Sequence, residues 1–233
     1  MELFSTAWLS ALLAIVLIDL VLAGDNAIVI ALAARKLPAH LQTKAIIWGT
    51  VGAIIVRTIM TVGVVWLLKI PGLMLVGGLG LVWIAYKLLA PDSGGPSHEP
   101  TATTFMGAMK TIVIADALMG VDNVLGVAGA AKGAIDLVVI GLLISVPIVV
   151  FGSTLVLKLV ERFPVIMYLG AGVLAYTAAH MIVSEPLLDA VFDANLAVRI
   201  ATHAVLIVGV LAAGRWATQR AVAAARRREP TAT

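Results

Sequence analysis

Four aspartates lie inside stretches of sequence that are otherwise apolar enough to cross a membrane. They form two pairs, Asp19 with Asp25 and Asp116 with Asp122, and the second pair follows the first by 97 residues. An aspartate at the centre of a membrane helix opposes insertion by roughly 2.5–3.5 kcal/mol, so such residues are usually functional. The later aspartate of each pair precedes an asparagine, Asn26 or Asn123, and both segments read D-x5-D-N. Two copies of this polar motif predict a cation site built by internal duplication.

The ligand types restrict the ion that such a site would bind. Carboxylate, amide and main-chain oxygens suit hard divalent cations such as magnesium, calcium and manganese. The chain contains no cysteine, which argues against copper(I) and structural zinc. Met119 favours manganese if its sulfur contributes, although a methionine in a membrane helix commonly fills space. Four carboxylates carry more charge than one divalent ion, so we expect at least one to be protonated and metal to exchange for protons.

The composition indicates an all-α, polytopic membrane protein. Of the 233 residues, 61% are hydrophobic and 12% are charged, and the mean hydropathy is +1.08, which excludes a soluble globule. Seven stretches are long enough to cross about 30 Å of hydrocarbon as helices. The first lacks a basic start and an Ala-x-Ala site, so we do not expect a cleaved signal. The seven predicted helices are 7–33, 45–68, 71–90, 106–131, 137–158, 164–184 and 196–214.

The distribution of basic residues predicts the orientation. With the N-terminus outside, 12 of the 16 lysines and arginines fall in inner loops and the tail, three fall outside, and Arg57 lies within the second helix. This bias follows the positive-inside rule. We therefore expect a multi-pass protein of a bacterial plasma (inner) membrane with a cytoplasmic C-terminus. The net charge of +3 then reflects topology and contact with the lipid bilayer, and nucleic acid is not an expected partner.

The internal repeat extends beyond the aspartates. The third predicted helix contains GLVWIAY at 80–86, and the sixth contains GAGVLAY at 170–176. Helices one to three thus resemble helices four to six. Each unit has an odd number of helices, so the second unit must enter the membrane from the opposite side. The predicted organisation is a three-helix repeat at 1–90, a cytoplasmic linker at 91–104, a second three-helix repeat at 105–190, and a seventh helix with a basic cytoplasmic tail at 191–233.

The inverted repeat predicts how the motif residues are arranged. On a regular helix Asp19 and Asn26 share a face, whereas Asp25 is turned about 120° away. Gly24 and Gly120 closely precede the later aspartates. We expect a kink or unwinding near both glycines, which would swing the later aspartate inward and free backbone carbonyls. The predicted pairs at equal depth are Asp19 with Asp122 and Asp25 with Asp116.

Some of these polar residues have simpler interpretations. A single intramembrane aspartate can serve helix packing through a hydrogen bond, but that explains a repeated motif poorly. Arg57 either neutralises an aspartate of the metal-free site or only pairs structurally with one. An acidic segment after the sixth helix is expected to be a solvated outer loop. Its acidic residues are Glu185, Asp189 and Asp193.

Two segments of the chain carry a resemblance to a known family. With the seven-helix layout, they resemble the TerC family of integral membrane proteins, most closely its short YjbE-type branch. They are IDLVLAGDNAIVIALAARKLP at 18–38 and IADALMGVDNVLGVAGAAKG at 114–133. The resemblance implies manganese efflux or, by older naming, tellurium resistance, and a place among the LysE-type exporters. The residues that it implies as metal ligands are Asp19, Asp25, Asn26, Asp116, Asp122 and Asn123.

Three functions are consistent with these observations. The first is a secondary transporter that exports manganese in exchange for protons by alternating access of the two repeats, with Mn2+ as cargo and no prosthetic group. The second is a membrane partner protein that supplies metal to secreted enzymes or supports stress resistance. The third is an exporter of organic cations or amino acids, which would require aromatic residues that the first and fourth helices lack near their aspartates. An enzyme is not expected, because no nucleophile and base have suitable spacing. The seventh helix either covers a lipid-facing groove or mediates a homodimer.

Overall fold

The computed structural model describes residues 5–67, 69–90, 104–131, 134–193 and 195–228. Nearly all of the predicted linker at 91–104 and the end of the tail therefore lie outside the described residues. Within these ranges the regular structure is helical. The α-helices are α1 Thr6–Ala34, α2 Ala39–Val62, α3 Val64–Leu67, α4 Leu73–Leu89, α5 Phe105–Ala131, α6 Ile135–Arg162, α7 Val165–Val183, α8 Asp189–Phe192 and α9 Leu196–Arg228.

Each of the seven predicted stretches is occupied by one long helix. Among the described residues, α2, α6, α7 and the Leu196–Ala223 part of α9 are long and apolar enough to cross a bilayer, and α1 is a fifth span if its two halves count as one. The 17 residues of α4 form a shorter apolar helix. The prediction of an all-α, polytopic membrane protein is thereby confirmed.

The long helices of the first half pack on those of the second half in a reciprocal pattern. α1 packs on α6, and α2 packs on α5; α4 contacts α5, and α7 contacts α1. α1 also packs on α5, α2 on α6, and α4 on α7. Exchanging α1, α2 and α4 for α5, α6 and α7 leaves this set of contacts unchanged. Two units related by a two-fold axis would produce this pattern, which supports the repeats inferred from sequence.

Glycines allow two of these reciprocal contacts to be close. A Cβ atom added at Gly49 of α2 would lie 2.7 Å from Ile112 Cδ1 of α5, and one added at Gly141 of α6 would lie 2.5 Å from Ile15 Cγ2 of α1. Small residues let membrane helices approach each other in this way. Ile15 and Ile112 are separated by the same 97 residues as the aspartates. The same packing device is therefore used on both sides of the molecule.

The first helix is bent close to its second aspartate. Its halves, Thr6–Leu20 and Gly24–Ala34, meet at 47°, so the kink predicted near Gly24 is present. The backbone remains helical through both Gly24 and Gly120, and the alternative of unwound turns is wrong. Continuous helix keeps the backbone carbonyls hydrogen-bonded within the apolar surroundings.

The last helix of the bundle lies at its edge. α9 packs against α7 and α4, with the Tyr176 ring 5.3 Å from that of His203. Much of its apolar surface is exposed, including Val205, Val208 and Trp216. In a membrane protein such a surface faces lipid or another protein. The choice between a groove cover and a homodimer contact stays open.

Glu185 is not the solvated loop residue that the sequence indicated. Its side chain is only 2% exposed. Its carboxylate accepts hydrogen bonds from the backbone N–H groups of Gly72, Met74 and Leu75 at 3.0–3.2 Å. These donors lie at the N-terminus of α4, where N–H groups have no partner within the helix and a negative charge is favoured. Glu185 thus ties the end of α7 to the beginning of α4.

Candidate functional site

Three helices bring charged side chains together in the interior of the bundle. α1 supplies Asp19, α5 supplies Asp116 and α2 supplies Arg57, which are 4%, 7% and 4% exposed. Arg57 Nη1 donates a hydrogen bond to Asp19 Oδ1, and Arg57 Nη2 donates one to Asp116 Oδ1. The planar guanidinium has donors on two nitrogens that point apart, so one arginine can hold two carboxylates at once.

This bridge joins the equivalent aspartates of the two motifs. The predicted pairing by depth placed Asp19 with Asp122 and Asp25 with Asp116, and it stays a prediction because the Asp122 side chain lies outside the described residues. The structure shows in addition that Asp19 and Asp116 meet on the same guanidinium. The contact between the two first aspartates is made by a cation from a third helix, α2.

A small cavity of about 20 Å³ lies beside the bridge. It exceeds the 10–15 Å³ or so that a water molecule needs. Three buried oxygens lining it have no hydrogen-bond partner: Asn26 Oδ1, Thr50 Oγ1 and Asp116 Oδ2. Their residues are 3%, 2% and 7% exposed. The other residues lining the cavity are Asp19, Ile30, Ala53, Ile54, Leu142, Ser145, Val146 and Val149.

These oxygens form a chemically specific set. A buried polar atom without a partner costs about 1–3 kcal/mol, so native proteins seldom keep several of them together without a purpose. Carboxylate, amide and hydroxyl oxygens are the ligands of hard cations. Two carboxylates and one guanidinium also leave one negative charge if both acids are ionised. The chemistry of the cavity therefore favours a small cation.

The two acidic positions of the first motif have different surroundings. Asn26 and Asp19 both line the cavity, so the prediction that they share a face is confirmed. Asp25 is partly exposed, and its Oδ1 accepts a hydrogen bond from the Asn26 backbone N–H at 2.9 Å. Asp25 does not line the cavity, although it lies close enough to Arg57 and Asp116 for their charges to interact. The expectation that the kink swings it inward stays a prediction.

The second motif is only partly described. Asn123 is buried at 9% exposure, and the Asp122 side chain lies outside the described residues. Met119 is 2% exposed and packs in the apolar core with Leu81 and Leu174, which fits a space-filling role. Among the side chains that the structure describes, there is no cluster of three or more His, Asp or Glu residues that could hold a metal ion.

The sequence reasoning did not identify two polar residues of the cavity. Thr50 lies on α2 and Ser145 lies on α6. Neither residue belongs to a recognisable sequence motif. Ser145 Oγ donates to Gly141 O at 3.2 Å, which is common for a hydroxyl in a membrane helix. One signal was present: Thr50 lies seven residues before Arg57, so both project from the same face of α2.

A second cavity of about 360 Å³ lies near the beginning of α4. Its lining is mostly apolar and includes Val121 and Val124 of α5, which lie on either side of Asp122 and Asn123 in the sequence. Glu185 and Lys69 also line it. This larger space therefore reaches the part of α5 that carries Asp122 and Asn123.

Comparison with known proteins identifies relatives along most of the chain. The chain is 46% identical over 178 residues to the "Uncharacterized membrane protein YjbE" of Bacillus subtilis (strain 168), which covers 76% of this chain and 81% of that protein. It is 25% identical over 196 residues to the "UPF0053 inner membrane protein YgdQ" of Escherichia coli (strain K12), with 77% and 82% covered. The "UPF0053 protein YegH" of the same strain is 26% identical over 183 residues, 69% of this chain but only 34% of YegH.

No solved structure matches the chain significantly. The family model described as "Integral membrane protein TerC family" matches residues 4–222, a span that includes both aspartate motifs, Arg57 and Thr50. With this match and the similarity to YjbE, the chain belongs to the TerC family of integral membrane proteins.

Proposed function

We propose that this protein is a secondary transporter that exports divalent metal cations, manganese above all, in exchange for protons. The observation that carries the proposal is the group of three partnerless oxygens on the cavity between Asp19 and Asp116. Asn26, Thr50 and the two carboxylates would bind the ion. Asp25, Asp122 and Asn123 are proposed as further ligands along its path.

The size of the cavity supports a metal ion over a larger substrate. About 20 Å³ accommodates one water-sized sphere. An amino acid or an organic cation has several times as many heavy atoms as this space can hold. The surrounding side chains that are apolar are aliphatic, so the lining provides no aromatic cage for a quaternary or primary ammonium group.

The choice of manganese depends on the family resemblance more than on the ligands. All the partnerless atoms of the cavity are oxygens, and oxygen ligands suit magnesium and calcium as well as manganese. Met119 packs in the core and gives no reason to prefer a softer ion. Selectivity would then come from the size and rigidity of the cavity.

The two-fold packing gives the proposed transporter a route for alternating access. The site lies where α1, α2 and α5 meet, so it is shared by both proposed three-helix units. Rocking one unit against the other would expose a shared site to each side of the membrane in turn. We propose that the larger cavity beside Val121 and Val124 is the vestibule on the outer side.

The proposal is tested by metal flux in proteoliposomes. The purified protein is reconstituted, and uptake of Mn2+, Mg2+ and Ca2+ is measured with and without a pH gradient. We expect gradient-dependent flux that prefers Mn2+ and is lost in the Asp19→Asn/Asp116→Asn double variant. Asp193→Asn, which changes an exposed acid in the loop before α9, is the matched control and should transport normally.

Two results would contradict the proposal. Folded wild-type protein that moves no divalent cation under any gradient would exclude a transporter, and retained metal binding would then favour the partner protein that supplies metal. Flux of an amino acid or organic cation that depends on the same aspartates would favour the third function instead.

A further inference from the structure

Arg57 occupies the position between two carboxylates that a metal ion would need. Its guanidinium contacts Asp19 Oδ1 and Asp116 Oδ1, and the adjoining cavity has only about 20 Å³. We propose, on the basis of the proposed metal transport, that the guanidinium of Arg57 takes the place of the transported cation between the two carboxylates. It holds the two carboxylates together in the metal-free protein, and the incoming ion must displace it.

The charges of the site support displacement over joint occupancy. Asp19, Asp116 and Arg57 together leave one negative charge when both acids are ionised. A divalent ion added to these three buried groups would leave a net positive charge among them, whereas the same ion with the two carboxylates alone gives a neutral set. Asp25 also interacts with the charge of Arg57, but it is partly exposed and its charge is screened more strongly. Unbalanced charge is costly in a low-dielectric interior. Binding of metal and departure of the guanidinium are therefore linked.

The hydrogen bonds of the site indicate where the exchange begins. Arg57 uses one oxygen of Asp116, while Asp116 Oδ2, Asn26 Oδ1 and Thr50 Oγ1 remain without partners. An ion can contact these three atoms first and then compete for the oxygens that Arg57 holds. Sharing of the same carboxylates makes the two cations mutually exclusive.

Arg57 is also incompletely satisfied where it lies. Its Nε is buried and has no hydrogen-bond partner, although the residue is 4% exposed. A buried arginine that only stabilises the fold would gain from satisfying all its donors, because each orphaned group costs free energy. The missing partner lowers the cost of moving the side chain away, which suits a residue that must leave in each transport cycle.

This exchange has a consequence for transport. Bare paired carboxylates are unfavourable in the interior, so the site is neutralised either by the metal or by Arg57 together with one proton on a carboxyl group. The metal-free carrier can then return across the membrane with its own cation in place, and an intermediate with neither cation is scarcely populated. Arg57 would thereby allow turnover without a second metal ion travelling back.

The test is binding of Mn2+ to the purified full-length protein, measured by loss of the electron paramagnetic resonance signal of free Mn2+. Arg57→Gln removes the competing charge and should bind Mn2+ about tenfold more tightly, or more, than wild type. Arg57→Lys has a point charge that cannot bridge both carboxylates as the planar fork does, and it should give an intermediate affinity. Arg215→Gln, an exposed arginine on α9, should bind like wild type.

The outcomes separate this inference from the proposed function. If wild type binds Mn2+ and folded Arg57→Gln binds it no better, Arg57 is a structural pairing residue and the inference is wrong, while the transporter proposal stands. If Arg57→Gln does not fold, Arg57→Lys provides the test. Tighter Mn2+ binding by Arg57→Lys than by wild type supports the inference, and equal or weaker binding overturns it. Absence of binding in all folded variants, including wild type, would overturn both proposals.

Discussion

Asp19 and Asp116 illustrate what the chemistry of single residues can and cannot predict. An aspartate in an apolar helix is costly enough that the motif positions identified the buried acids of the candidate site. The prediction that Arg57 pairs with an aspartate is confirmed. Its contact with both aspartates could not be predicted, because the reach of Arg57 depends on how α2 packs between α1 and α5. Thr50 was missed because a threonine hydroxyl in a helix commonly donates a hydrogen bond to a backbone carbonyl of the same helix. A threonine in a membrane helix therefore does not by itself indicate a ligand.

Thr50 provides a test of the ligand set at single-atom resolution. Thr50→Val removes an oxygen but nearly preserves the shape, so we expect Mn2+ binding to weaken by about tenfold, the loss of one good polar contact. Loss of a partnerless buried hydroxyl should also make the metal-free protein slightly more stable. The measurements are Mn2+ titration and thermal unfolding in detergent without metal. Thr50→Ser keeps the hydroxyl and should bind almost normally; equal binding by the Val and Ser variants would exclude Thr50 as a ligand.

At the level of helices, close packing and capping position the site. The long spans were predictable because about twenty consecutive apolar residues have few alternatives in a membrane. The bend in α1 was also foreseen from Gly24. The local hydrogen bond from the Asn26 backbone N–H to the Asp25 carboxylate was not, because the motif alone does not indicate the side-chain conformation.

Gly141 tests the contact between α6 and α1. Gly141→Ala places a methyl group 2.5 Å from Ile15 Cγ2 and should destabilise the protein by about 1–3 kcal/mol, as overpacking does. The check is thermal unfolding in detergent. Gly209→Ala is the control, since no atom lies within 4 Å of its added Cβ. Adding Ile15→Ala to Gly141→Ala relieves the clash, and failure of Gly141→Ala to destabilise would show that α1 and α6 can separate at little cost.

Glu185 tests the link between α7 and α4. Glu185→Gln keeps the shape of the side chain but removes the negative charge of the carboxylate, which accepts hydrogen bonds from three backbone N–H groups of α4 and the residue before it. We expect the free energy of unfolding to fall by about 1–3 kcal/mol, the range of a charged hydrogen bond with a helix N-terminus. Asp189→Asn, in the same acidic segment, is the control. An unchanged melting temperature for Glu185→Gln would mean that the neutral amide caps α4 equally well.

For the whole molecule, the sequence predicted the number of long helices better than their spatial relations. The apolar stretches predicted seven long helices, and each stretch contains one long helix among the described residues. The 97-residue repeat predicts two similar units. Neither pattern specified that α1 packs on α6 and α2 on α5, because the sequence of a helix shows which residues are small without showing which partner they face. The boundaries of the two units, at 1–90 and 105–190, remain our proposal.

The orientation in the membrane is a separate prediction. We propose that the N-terminus lies outside. The chain has no cysteine, so single cysteines can report it. In intact cells a membrane-impermeant maleimide should label Thr6→Cys, an exposed residue at the beginning of α1, but not Lys44→Cys, an exposed residue near the beginning of α2. Both should be labelled after permeabilisation, and the reverse pattern in intact cells would place the N-terminus in the cytoplasm.

The single arginine of the site has a consequence for the internal duplication that we propose. Two identical three-helix units joined as a dimer would present two guanidinium groups to one pair of carboxylates and one cavity of about 20 Å³. When both units are on one chain, only one needs to keep the arginine, and α6 has aliphatic side chains such as Val146 and Val149 on its side of the cavity. The proposed fusion of two copies would therefore permit a site that symmetric pairing of separate copies forbids, with two equivalent carboxylates and a single guanidinium.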